Sequence, residues 1–70
     1  MDIKKKFGQN VKRLRLMKNL SQEKFAFEAD IHRTYVSDVE RGIRNPTITV
    51  VEKLAKALNV TPGELLDGKN

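Results

Sequence analysis

Seventy residues, 39% hydrophobic and 33% charged, leave room for one small core, which excludes both a two-domain chain and a disordered polyampholyte. A formal net charge of +5 suits a polyanionic partner, and the absence of cysteine excludes disulfides, thiolate zinc sites and cysteine nucleophiles. The charged stretch from Met1 to Phe7 does not read as a signal peptide, and no run approaches the ~18 apolar residues of a membrane span, so a cytoplasmic protein with no membrane partner is expected.

In chain order, Ile3, Phe7, Val11, Leu14 and Met17 recur at helical spacing and predict a first helix with a single apolar stripe. Its other faces are basic: residues 1–20 carry seven Lys and Arg against one Asp, whereas residues 21–45 carry four against five acids and residues 46–70 three against three. Lys4, Lys5 and Lys6 form either an arm directed at phosphates or a solvated basic face. Asn19 is a stop signal, and Ser21 caps a second helix over about 22–29 whose Phe25 and Ala29 face inward.

Asp30 interrupts that helix and Ile31 anchors a very short turn. A third helix over about 33–41 then turns Val36 and Val39 inward and leaves Arg33, Thr34, Ser37 and Asp38 outside. Gly42 ends it with a left-handed cap. Beyond the loop Arg44-Asn45-Pro46, Thr47 caps a fourth helix with Ile48, Val51, Leu54, Ala55 and Leu58 on one face. Thr61-Pro62-Gly63-Glu64 has capping-box spacing and starts a short fifth helix that carries Leu65 and Leu66, after which Gly68-Lys69-Asn70 should fray. No repeat or linker divides the chain, so residues 1–70 are expected to form one all-α, five-helix domain.

Two helices joined by a turn of three or four residues cross steeply, and the second then projects far enough to enter a DNA major groove. That geometry demands apolar residues at fixed offsets. Counting Gln22 as position one, Phe25, Ala29, Ile31, Val36 and Val39 fall at positions four, eight, ten, fifteen and eighteen, with Ala26 as the small residue where the helices approach.

The stretch from Leu20-Ser21-Gln22-Glu23 to Val39-Glu40-Arg41-Gly42, with Asn45-Pro46 and Leu54-Ala55-Lys56-Ala57-Leu58, resembles the phage repressor and Cro-type (XRE) helix-turn-helix family over residues 11–66. Within it, the run from His32 to Asn45 is most similar to the controller proteins of restriction-modification systems. The resemblance implies a lambda-repressor-like fold and a dimeric transcriptional regulator bound to double-stranded DNA at a pseudo-palindromic operator. It also implies control of the protein's own gene and of an endonuclease, with RNA polymerase blocked or recruited according to operator position. Two positions depart from the family pattern, Asp30 where glycine is usual and His32 where serine is usual.

The resemblance places Gln22 on a DNA phosphate through its side chain and backbone N–H, and pairs Glu40 with Arg15 in an internal ion pair. Arg15 sits at the edge of the apolar stripe, where a lone charge needs a partner. Arg33 suits base reading because a guanidinium forks to guanine O6 and N7; Thr34 and Ser37 offer hydroxyls beside it. Asp38 either accepts from a cytosine, repels a wrong approach, or orients Arg33 or Arg41. Phosphate contacts are expected from His32, Arg44 and Asn45, and Tyr35 either joins them or supports the helix from the core.

Val50 and Ala57 form a second apolar line on the fourth helix which, with Leu65 and Leu66, is the expected dimer contact unless these residues complete the monomer core. No residue set suggests an enzyme, a metal site or a cofactor: lone His32 cannot hold a metal, and Ser21, His32 and Asp38 make no triad. The alternative to an operator-binding regulator is a protein-interaction module of the antitoxin type on the same fold.

Overall fold

Side-chain caps start all five helices in the computed structural model, which describes residues 2–67: α1 (Ile3–Met17), α2 (Gln22–Ala29), α3 (Arg33–Glu40), α4 (Ile48–Leu58) and α5 (Pro62–Asp67). Asp2, Ser21, His32, Thr47 and Thr61 accept from the backbone N–H of Lys4, Lys24, Thr34, Val50 and Glu64 at 2.9–3.2 Å, and so satisfy donors that a helix start leaves open. Glu64 reaches back to the Thr61 N–H at 3.2 Å, completing the capping box expected there. Lys4, Lys5 and Lys6 belong to the first turns of α1 and are not an extended arm. The expected fraying of residues 68–70 lies outside the described residues.

The first four helices also end alike. Asn19, Asp30, Gly42 and Asn59 adopt left-handed backbone, with φ of 58°, 59°, 77° and 59°. The next residue is apolar each time, and its N–H returns to a carbonyl five residues back: Leu20 to Arg15, Ile31 to Ala26, Ile43 to Asp38 and Val60 to Ala55, at 3.0–3.2 Å. Leu20, Ile31 and Val60 then pack against the core, so each stop signal also fixes the direction of the next segment.

Asp30 pays for this conformation twice over: a Cβ disfavours left-handed backbone, and a carboxylate sits badly at a helix C-terminus. Its ion pair with Lys53 is 4.0 Å long and exposed, and offsets little. Asp30→Gly is therefore expected to raise stability by about 1 kcal/mol, read as a melting temperature several degrees higher.

Phe7, Val11, Leu14, Phe25, Ala26, Ala29, Val36, Val39, Val51, Leu54, Ala55, Leu58 and Leu65 form one core, with α1 packed across α3 and α5 and α2 packed across α3 and α4. Three residues assigned to apolar stripes are instead exposed. Ile3 and Met17 lie in the first and last turns of α1, where the stripe outruns the helices that cover its middle, and Ile48 is the first residue of α4 and 85% exposed.

The expected dimer line changes as well. Leu65 is completely buried in its own chain and cannot meet a partner, because α5 is folded under α1: the buried Asn10 amide donates to the Leu65 carbonyl at 2.7 Å. Val50 and Ala57 are half-buried, packing against the core while keeping part of their surface open, and Leu66 is exposed.

Two helices meet where one side chain is absent. A Cβ on Gly8 would fall inside contact distance of the Val39 carbonyl oxygen and 3.0 Å from that of Glu40, so glycine is what lets α1 lie directly on the end of α3.

Candidate nucleic-acid interface

Val36 and Val39, both buried, fix the rotation of α3 against the core. With 3.6 residues per turn, Arg33, Thr34, Ser37 and Asp38 then share the opposite side, within an arc of about 140°. Arg33 and Thr34 are fully outside, while Ser37 and Asp38 are half-buried further along. An α-helix with its side chains is about 10–12 Å across, which the ~12 Å width of a B-DNA major groove admits. The brace, α2, ends at Ala29, and α3 begins after only Asp30, Ile31 and His32, so the two elements keep the tight helix-turn-helix connection.

His32 caps α3 through Nδ1, which accepts from the Thr34 N–H at 3.2 Å. With Nδ1 engaged as the acceptor of that bond, Nε2 is the ring nitrogen left to donate, at an exposed residue beside the reading face. The departure from serine at this position keeps the cap and adds an outward donor.

At the far end of α3, Asp38 is engaged within the protein. Its carboxylate lies 3.2 Å from Arg44 Nη2 and 3.9 Å from Arg41 Nη1. The Arg44 guanidinium is centred 4.3 Å from the Tyr35 ring centroid, and the Tyr35 hydroxyl oxygen accepts from the Thr47 N–H at 3.4 Å. Tyr35 and Asp38 thus hold Arg44 from two sides and tie the loop 41–47 to the recognition helix; of the roles open to Asp38, the free protein shows the orienting one, on Arg44 and on Arg41. Asn45 stands exposed on the same loop.

Behind this surface the Glu40 side chain, 3% exposed, meets Arg15 in a two-pronged ion pair, from Nε at 2.7 Å and Nη2 at 3.0 Å. Arg15 also donates from Nη1 to the Leu20 carbonyl at 2.6 Å, just ahead of the α2 cap. Gln22, at the start of α2, donates from Nε2 to Glu40 Oε1 at 3.0 Å, a contact that sequence reasoning missed because the two residues lie 18 positions apart. Gly8 and Asn10 were missed too. Their only sequence signal is a small and a polar residue between the apolar positions of the first helix.

A second surface adjoins the loop. Ile3, Lys4, Phe7, Asn45, Pro46, Ile48, Val51, Pro62 and Leu66 line a groove whose walls are mostly apolar. Among the described residues no helix is long and apolar enough to cross a membrane.

The sequence model of the helix-turn-helix family matches residues 11–65. The control protein C.BamHI of Bacillus amyloliquefaciens is 57% identical over 67 residues, which span 94% of this chain and 83% of that one. The structure superposes with TM-score 0.86 on the restriction-modification controller protein C.AhdI of Aeromonas hydrophila, 48% identical, covering 89% of this chain and 94% of that chain. It superposes with TM-score 0.84 on the biofilm regulator SinR in complex with DNA, 35% identical, covering 87% of this chain and 98% of that chain. The chain belongs to the helix-turn-helix family of DNA-binding transcription regulators, on the side of it where the control proteins of restriction-modification systems lie.

Proposed function

We propose that the protein is a cytoplasmic, dimeric regulator that binds a pseudo-palindromic operator and governs the expression of a restriction-modification system, its own gene included. The observation that carries the operator-reading part is the face of exposed Arg33 and Thr34 and half-buried Ser37, turned away from the core by buried Val36 and Val39. Arg33, Thr34 and Ser37 read base edges, while Gln22, His32, Tyr35, Arg44 and Asn45 position the protein on phosphates.

The second copy docks on the groove beside Pro46, through Ile48 and Leu66 and the exposed Ile3. Asn45 lies both in that groove and on the loop following α3, so a twofold axis there sets two recognition helices on one side of the dimer. Such a pair spans half-sites about 34 Å apart. A second copy on the apolar surface also supplies burial that a chain this small lacks alone.

Selection from random duplexes identifies the operator. Arg33→Ala is then expected to lose about 1–3 kcal/mol of binding concentrated at one base position, whereas Arg44→Ala weakens all duplexes alike. If both variants bind every duplex as the wild type does, the reading face lies elsewhere. For the dimer, Ile48→Glu is expected to give a folded monomer by sedimentation, because Ile48 contributes little to its own core. A dimer unchanged by that charge would move the interface off the groove.

A further inference from the structure

We infer that Glu40 is a positioning residue for DNA binding: by holding the Gln22 carboxamide in one orientation, the buried Arg15–Glu40 pair presents a fixed phosphate donor at the start of α2. The inference rests on the proposal above that Gln22 meets a phosphate, and adds how that contact is prepared and which residue prepares it.

The chemistry allows one arrangement. A carboxylate accepts and never donates, so only the amide nitrogen of Gln22 can face Glu40 Oε1, at 3.0 Å, and the amide oxygen must turn away. The nitrogen carries two protons. One is bound to Glu40, and the other is left on the same nitrogen of a half-buried side chain, while the backbone N–H groups of Gln22 and Glu23 lie in the first turn of α2, where a helix supplies no acceptor. Lys24 N–H is already taken by Ser21 and Phe25 N–H by the Ser21 carbonyl, so the open donors are those at the tip.

A freely rotating glutamine would present its oxygen to a phosphate as readily as its nitrogen, and would lose rotamer freedom on binding. Here that ordering is complete in the free protein. Glu40 cannot yield, because Arg15 grips both of its oxygens and is itself anchored to the Leu20 carbonyl, the residue before the cap. Arg15 on α1, Glu40 on α3 and Gln22 on α2 therefore set the angle of the phosphate donor relative to the recognition helix.

The test is a double-mutant cycle on the duplex that the wild-type protein selects from a random library, with folding of each variant checked by circular dichroism. Gln22→Ala and Glu40→Gln are each expected to weaken binding by roughly tenfold, and the double variant no further than either alone. The direction is diagnostic. Glu40→Gln removes a negative charge, so a bare charge effect would tighten binding to DNA, and tightening overturns the proposal. Factors that multiply in the double variant also overturn it, since Glu40 then acts elsewhere. If Gln22→Ala binds as the wild type does, the phosphate contact of Gln22 is wrong and both readings fall together.

Should Glu40→Gln not fold, the wild type decides alone. The side-chain amide of Gln22 is expected to be as ordered as the backbone by ¹⁵N relaxation, and mobility equal to that of the exposed Gln9 amide would overturn the inference.

Discussion

Gly8→Ala is expected to destabilise the protein by about 2–4 kcal/mol, against a helix-propensity gain of about 1 kcal/mol that alone would predict the opposite sign. The obstacle is backbone: the added Cβ would meet the Val39 carbonyl oxygen and stand 3.0 Å from the Glu40 oxygen, and neither can rotate away. Relief requires α1 to lift from the end of α3. That movement also lengthens the Arg15–Glu40 pair, which bridges the same two helices two turns further along α1. A domain of this size sits toward the lower end of the usual ~5–15 kcal/mol, so thermal melting should move down by roughly 10–20 °C. A variant that melts at or above the wild-type temperature would show that the crossing is looser than drawn.

The fate of Gly8 shows where reading a sequence stops. A glycine inside a helix pattern looks like a small defect until the element that crosses it is known, and the crossing helix lies some 30 positions later. The same limit explains Ile3, Met17 and Ile48. Periodicity gives the direction in which a side chain points but not whether anything covers it, and at helix ends nothing does. Leu65 errs in the other direction, since a six-residue helix at the end of a chain reads as peripheral until the Asn10 amide is seen holding it under α1.

What was legible was local or repeated. The stops at Asn19, Asp30 and Gly42 follow from residue chemistry, as do the caps at Ser21, Thr47 and Thr61. The inward set Phe25, Ala29, Val36 and Val39 follows from spacing over two linked helices, and it fixes the outward set by subtraction. The Arg15–Glu40 contact came from the family resemblance together with the awkward place of Arg15 on the stripe. Gln22 joins that pair through a fold-dependent contact, and no property of the intervening residues announces it.

Removing Arg15 separates the two tasks of this cluster. Arg15→Ala is expected to cost about 3–5 kcal/mol, because among the described residues it leaves the buried Glu40 carboxylate only Gln22 as a partner, and it takes the donor from the Leu20 carbonyl. Replacing the pair together, as Arg15→Met with Glu40→Leu, takes both charges out of the interior and fills similar volume. Buried ion pairs exchanged in this way commonly leave stability within a few kcal/mol of the original or above it, so the double variant is expected to melt well above Arg15→Ala by chemical denaturation. Its DNA binding should not recover with its stability, since no carboxylate is left to hold the Gln22 amide. A double variant restored in both respects would mean that the cluster only supports the fold; one restored in neither would mean that the Leu20 carbonyl, left without its donor, matters more than the charges do.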